Sequence, residues 1–502
     1  MPELLLGIDV GSYSTKAVLT DLAGIELETL TVEHAMEFPR PGWAEHDADA
    51  VWWGDVVAVC RRLFDGGRYS GADVAAVGVS AVGPCLLPLD DAGRPLRKAI
   101  LYGVDTRAKA EIDDLTEAIG PEAVIEHAGM AFTSQAVGPK ILWLRRHEPE
   151  VWRRARRFTT ASSYMTYRLT GEHVIDRHTA SHFMPLFDIH SLQWSERYAH
   201  LVAPVETLPR LAWSDEPSGV VTPEAARATG LAAGTPVSAG TIDVMADAVG
   251  TGVTEPGALM LAYGSSTSFI LILERPLPDR RVWMTAGAFE GSYALSAGMA
   301  TSGSITRWLR DEFARDLPPE TAYADLFAAA DAVPAGSDGL LFLPYMSGER
   351  TPLNDPDARG VVAGLSLTHT RAHLFRAALE GVAFGVRHNL ETFETIGASI
   401  ERIVAVGGGT SGDTWLQIVS DVTGREQSVP EAGLGACAGS AFLAGMAAGE
   451  LTSADLGSWQ RPSRRIVPDP AKRATYDRAY GNFRALYDAT ADVVHDLVAG
   501  AA

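Results

Sequence analysis

Hydrophobic and polar positions along this chain follow two rhythms. Short unbroken apolar runs, at 74–79, 99–101 and 237–239, predict strands buried on both faces. Between them, segments such as 136–146 repeat apolar residues at helical spacing. This alternation predicts an α/β architecture. Residues 370–391 predict one long helix, with Leu374, Ala378, Val382, Val386 and Leu390 at four-residue spacing and Phe375 and Leu379 beside them. That stripe reads as core. The tail, 471–502, predicts a packing helix without chemistry of its own. A Gly/Pro-rich joint at 251–257 (TGVTEPG) predicts a boundary between domains at 1–250 and 251–502.

Two stretches carry candidate chemistry. In 4–21 (LLLGIDVGSYSTKAVLTD) an apolar run ends in Asp9, turns through Gly11-Ser12 and returns as a second strand from Thr15. A tight strand–turn–strand of Asp, Gly and hydroxyls suits Mg²⁺ and phosphates, because its backbone N–H groups converge on the anion. Taken alone it reads as an ordinary hairpin turn. In 238–250 (SAGTIDVMADAVG), Asp243 follows a small-residue strand and opens a helix. A carboxylate there is placed to accept a proton from a substrate hydroxyl. Together the two stretches point to phosphoryl transfer. Residues 258–271 (ALMLAYGSSTSFIL) repeat the first design, which implies nucleotide in a cleft between two similar halves, or two coincident turns. At 404–410 (VAVGGGT) a strand enters a triple-glycine loop that lets backbone approach a ligand closely.

Composition narrows the partners. At 502 residues, two or three domains are expected. With 42 basic and 63 acidic residues the net charge is −21, which argues against nucleic acid and anionic membranes but not against ATP. Cys60, Cys85 and Cys437 are scattered, as in a reducing compartment, and the amino terminus lacks the basic region of a signal peptide. A cytoplasmic location is expected. His178 and His182 lie four apart near Asp176, a spacing that could hold zinc, but no further ligand cluster accompanies them. Trp52 and Trp53 read as core, and Trp43 as a residue that could stack on a sugar.

With these pieces placed, the chain resembles the FGGY carbohydrate kinases from residue 5 to about residue 445, and most closely their xylulokinase branch. Residues 360–380 (GVVAGLSLTHTRAHLFRAALE) fit the family's second signature. Residues 136–147 (AVGPKILWLRRH) fit the first, with Val137 in place of Thr, Ser or Pro. GWAEHDADAVWW at 42–53, TASHFMPLFDIHSLQW at 179–194 and AGSAFLAG at 438–445 also match. The resemblance implies two actin-like (ribonuclease H-like) ATPase domains with a central cleft. It implies transfer of the ATP γ-phosphate to a terminal hydroxyl of a ketose or polyol, with Mg²⁺. Another pentulose, hexulose or sugar alcohol is the alternative acceptor, and an actin- or chaperone-like ATPase the alternative class. The expected partners are a small sugar or polyol and a second copy of the chain in a homodimer.

Carried over residue by residue, the resemblance makes Asp243 the base and Asp9 the Mg²⁺ residue. Ser12, Tyr13, Ser14 and Lys16 form the first phosphate loop, and Gly264 and Ser265 the second. Gly303 and Arg307 contact nucleotide, and Gly409 and Asp413 lie near the adenosine. The sugar pocket departs from the pattern. Gly83-Pro84 stand where xylulokinases have Met-His and glycerol kinases Arg-Glu. Val244 replaces Asn or Gln, and Gln135 replaces a tyrosine of the glycerol kinases. Glycerol is therefore not the expected substrate. Asp105 and Arg107 read either as sugar-hydroxyl ligands or as a structural ion pair.

Overall fold

The computed structural model describes residues 3–431, 435–461 and 463–501. The chain forms two compact units. The first comprises Met1–Pro256, Ile272–Ala294 and Leu434–Arg461; the second comprises Gly257–Leu271, Leu295–Gly433 and Pro462–Ala502. The sequence thus crosses between units several times.

In the first unit, the strand Leu4–Val10 pairs antiparallel with Ser14–Asp21 and parallel with Val74–Ala81. Glu26–Glu33 extends one side of this sheet, and Pro236–Ser238 and Pro217–Val220 the other. Val74–Ala81 is buried at every position, which explains its unbroken apolar run. Trp52 and Trp53 lie in the core beneath the sheet, as expected.

The helix Gly435–Ala447 packs in this same unit, against Leu4–Val10, Val74–Ala81 and the helix Asp243–Gly250. The segment 438–445, which matches the family pattern, is therefore part of a helix packed in the first unit. Its approach is backbone to backbone. A Cβ on Gly7 would lie 1.7 Å from the Cys437 carbonyl oxygen, and one on Gly78 would lie 1.9 Å from that of Ser440. A Cβ on Gly439 would lie 1.8 Å from the Ala246 carbonyl oxygen. Only glycine admits such contact.

In the second unit, Ala258–Tyr263 pairs antiparallel with Thr267–Leu273 and parallel with Arg402–Val406. Gln427–Pro430 and Ser463–Ile466 follow. The long helix runs over Arg371–Thr395, four residues past the expected end at 391. Its buried face is wider than the apolar stripe and includes Arg376 and Glu380, whose Nε–Oε1 distance is 2.9 Å. Ser337 Oγ and the Gly336 N–H also donate to Glu380, and Tyr476 of the final helix Arg473–Ala501 joins the pair. Periodicity alone cannot reveal a satisfied ion pair on the buried side. Among the described residues, no helix is long and apolar enough to cross a membrane.

These close approaches give a stability prediction. Gly78→Ala forces two backbones apart and should cost about 1–3 kcal/mol or more. Gly481 sits in the final helix with nothing within 4 Å of an added Cβ, so Gly481→Ala should stabilise by about 0.5–1 kcal/mol. Urea unfolding of both variants checks this; equal effects would contradict the packing argument.

Candidate active site

Strand register brings the first-unit candidates together. Asp9 lies opposite Ser80 in the parallel pair and opposite Lys16 in the hairpin. Ser80 Oγ donates to Asp9 Oδ1 at 2.8 Å. The short strand Thr241–Ile242 adds to the other side of Val74–Ala81, with Thr241 opposite Ser80, and the helix Asp243–Gly250 begins at the next residue. Asp9 and Asp243 therefore emerge at the same end of one sheet.

The electrostatics follow from that placement. Burial pushes the Asp243 carboxyl up to about 8, and the charge of Asp9 adds to the effect. Asp247, one turn further along the helix, is pushed up to about 6 by the same two causes. Asp9 is raised by burial, against the opposing influence of the Ser80 hydrogen bond and the Lys16 charge. Asp243 Oδ1 accepts the Val244 N–H at 2.7 Å. Oxygen donors with a surplus of negative charge suit a divalent cation. Among the described residues, no group of three or more His, Cys, Asp or Glu side chains is arranged to hold a metal by itself. A cation would therefore take one or two carboxylates together with phosphate oxygens.

The hairpin between the first two strands closes with Gly11 N–H donating to the Ser14 carbonyl at 2.9 Å. Tyr13 and Lys16 are exposed, whereas Ser12 and Ser14 are half-buried. Behind the turn, His34 presents one ring nitrogen to the Gly11 carbonyl at 3.1 Å and the other to Asp55 Oδ2 at 2.7 Å. Thr15 Oγ1 donates to the same carboxylate oxygen. Ser12 Oγ lies 3.1 Å from the hydroxyl of Tyr102, whose phenol is raised by burial and then by the Asp243 charge.

Tyr102, Asp247 and His34 went unread in the sequence. The recurrence of Asp at 243 and 247, one helical turn apart, was the available signal for Asp247.

The expected sugar pocket divides. Gly83 adjoins the base segment, since a Cβ there would lie 3.1 Å from Ile242 Cγ1. Gln135 Oε1 accepts the Gly103 N–H at 3.2 Å, next to Tyr102. Lys140 is buried and donates to the carbonyls of Leu101 and Tyr102 at 2.7 and 3.2 Å, so this wall is held by its backbone. Asp105, in contrast, is enclosed. Its oxygens accept the Ala44 N–H at 2.7 Å and the Arg107 guanidinium at 2.7 and 2.9 Å. Arg107 also pairs with Glu45 and lies 3.9 Å from the Trp43 ring centroid. Of the two readings open for Asp105 and Arg107, the environment is that of a structural ion pair, and Trp43 is its lid. His178 Nδ1 donates to the Ala286 carbonyl at 2.9 Å, a core contact rather than metal ligation.

The second-unit candidates gather around a second hairpin. The Gly264 N–H donates to the Ser266 carbonyl at 3.0 Å. Backbone N–H groups of Ser302 and Gly303 donate to the Ser265 and Gly264 carbonyls, each at 3.0 Å. The helix Gly303–Phe313 thus starts against this turn, with Arg307 exposed one turn along. The glycine loop leaves the neighbouring strand, since Ala262 is opposite Val406. Gly407 has φ +92 and packs on the Tyr263 carbonyl, while Gly409 packs on the Tyr263 and Trp415 side chains. Asp413 opens the helix Asp413–Thr423 and pairs with Arg464. Gly264, Ser265, Gly303 and Gly409 therefore share one end of the sheet, and Asp413 stands at its margin.

Comparison with known proteins agrees with this arrangement. Residues 4–250 match the N-terminal domain of the FGGY family of carbohydrate kinases, and residues 259–448 match its C-terminal domain. The chain is similar to a xylulose kinase of Escherichia coli (strain K12), at 30% identity over 489 residues, covering 96% of this chain and 98% of that one. It is equally similar to a glycerol kinase of Nocardia farcinica, at 30% identity over 481 residues, covering 91% and 92%. The solved structure of a xylulose kinase from Rhodospirillum rubrum matches with a TM-score of 0.92 at 34% identity, covering 98% of this chain and 100% of that one. Both domain matches fall in order on the chain that carries the two hairpins and the helix-opening aspartate, and the chain belongs to the FGGY family of carbohydrate kinases, ATP-dependent enzymes with two actin-like domains.

Proposed function

We propose that this kinase phosphorylates a terminal hydroxyl of a ketose or polyol, in the manner of a xylulokinase, with Asp243 as general base. The observation that carries this reading is the shared sheet end of Asp9 and Asp243, both carboxyls pushed up by burial. Asp243 takes the proton of the acceptor hydroxyl as its oxygen attacks the γ-phosphorus. Its raised pKa makes it a stronger proton acceptor than an exposed aspartate once ionised. Asp9 would hold Mg²⁺, which when bound neutralises phosphate charge. Ser12, Tyr13, Ser14 and Lys16 would orient phosphates, as would Gly264, Ser265, Gly303 and Arg307, with Gly409 and Asp413 beside the adenosine. Such chemistry is mostly positioning and charge stabilisation.

Asp243→Ala should lower turnover on the order of 10²–10⁴-fold while leaving binding of an ATP analogue intact. Calorimetry and coupled ADP release check both halves. Undiminished acceptor-dependent turnover would remove Asp243 from the role of base.

The same carboxyl should leave a stability signature. Its folded pKa of about 8 lies above the ordinary aspartate value of 3.8, so between these values the folded state holds a proton that the unfolded state has lost. Stability then falls as pH rises through that window. Asp243→Asn abolishes the titration, so the variant should gain thermal stability over the wild type more at pH 8 than at pH 5 in Mg²⁺-free buffer. A pH-independent difference in Tm would contradict the raised pKa.

Acceptor choice is the finer question. Gly83, Pro84 and Val244 offer no side-chain hydrogen bonds, which leaves Tyr102 and Gln135 as the polar groups of this wall. A wall with few side-chain donors discriminates weakly between hydroxyl patterns. D-xylulose should therefore be accepted without unique preference, alongside other pentuloses, hexuloses or sugar alcohols, and glycerol should be poor. A panel of ketoses, polyols and sugar acids measured by ADP release decides this. Strict preference for D-xylulose would overturn the pocket reading.

A further inference from the structure

The segment that delivers Asp243 is short. Pro236–Ser238 pairs with Val74–Ala81, and after a break at Ala239–Gly240 only Thr241 and Ile242 pair with the sheet before the helix begins. At Gly240 the backbone has φ +76, and a Cβ would lie 2.5 Å from the Val79 carbonyl oxygen, so the chain turns sharply into the sheet at this point. A two-residue strand gives little hold on the residue after it. Besides the packing of the helix Asp243–Gly250 on Gly435–Ala447, a side chain adds a hold on the strand itself: Thr241 Oγ1 donates to Asp176 Oδ2 at 2.9 Å.

Asp176 is only 1% exposed and stands at the end of the strand Val174–Asp176. Its Oδ2 also accepts the Thr179 N–H at 3.1 Å and Ser214 Oγ at 3.4 Å. Its Oδ1 is buried with no hydrogen-bond partner among the described residues. Leaving a carboxylate oxygen unpaired in the interior costs free energy. Capping the following single turn does not require this residue, since serine or asparagine caps as well. The arrangement across the sheet supplies another use. Ser80 and Thr241 face each other in register, and each hydroxyl donates to a carboxylate on its own outer side: Ser80 to Asp9, Thr241 to Asp176. One bond fixes Asp9, and the other fixes the strand that ends in the base.

We propose that Asp176 is a positioning residue for phosphoryl transfer, acting through Thr241 to hold Asp243 in line with the acceptor hydroxyl. The proposal rests on Asp243 being the base. Displacing a catalytic group by about an ångström costs up to about 10²-fold in rate. Thr241→Val, which keeps the shape and removes the hydroxyl, should lower kcat by about ten- to a hundred-fold. KM for ATP and for the acceptor should stay within roughly two-fold. Thr241→Ser should recover most of the loss. Asp176→Ala should lose a similar amount, and Asp176→Ala/Thr241→Val should be no worse than either alone, because both remove one interaction. Should Asp176→Ala not fold, the contrast between Val and Ser at 241 decides the matter.

Steady-state kinetics of the full-length enzyme, with Asp243→Ala run beside it, separates the outcomes. An unimpaired Thr241→Val kcat, losses that add in the double variant, or a fall in Tm with normal kcat would each overturn the role of Asp176. An active Asp243→Ala would instead overturn the base assignment itself.

Discussion

The seating of the helix Gly435–Ala447 on glycine backbone is the constraint on which the first unit depends. Gly7 and Gly78 face each other in register, and so do Asp9 and Ser80, two residues further along the same strands. Residues two apart share a face of a strand. The helix therefore covers the sheet at the row before Asp9 and Ser80, and Cys437 in its first turn reaches the Asp9 backbone. Gly439 rests on the Ala246 carbonyl, three residues beyond Asp243, and its neighbour Ser440 rests on Gly78. One small-residue helix thus fixes the sheet carrying Asp9 and the helix carrying Asp243 against a common surface. A methyl group at any of these contacts would move one relative to the other.

That rigidity has an electrostatic cost, because it holds Asp9 close enough for its charge to raise the pKa values of Asp243 and Asp247. A flexible site would let them separate into solvent. Held together, they favour any ligand that brings positive charge, as a divalent cation would. Under the proposed assignment, the same reasoning makes Asp243→Asn a stabilising change and a catalytically damaging one. It is the familiar opposition between stability and function at a preorganised site.

The sequence disclosed those parts of the candidate site that are local. The hairpin after Asp9 and its repeat at Gly264 are contiguous strand–turn–strand units, and Asp243 sits at a strand-to-helix junction that a short window can show. Other parts depend on pairing across long separations. Asp105 and Arg107 could be read two ways until Ala44, Glu45 and Trp43, some sixty residues earlier, were found around them. Tyr102 gains its place from a hydroxyl contact to Ser12, and Asp176 from one to Thr241. The helix Gly435–Ala447 carries nothing in its own residues that says which unit receives it. In the long helix, apolar spacing located the core face but could not show that Arg376 and Glu380 share it.

The proposed acceptor wall is built on another principle from the sheet end that carries Asp9 and Asp243. Asp9, Ser80 and Thr241 are set by strand register, whereas Tyr102 and Gln135 belong to loop and helix-entry segments tied by Lys140, Ser134 and backbone groups. The contact between Tyr102 and Ser12 links the two supports. Substitutions such as Gly83-Pro84 can alter the wall while the register that aligns the carboxylates stays intact. Relatives of equal identity that bear the names of a xylulose kinase and a glycerol kinase fit this separation. Under the proposed assignment, acceptor specificity can drift in this fold with little effect on the phosphoryl-transfer machinery, because the two are fastened to the sheet by different bonds.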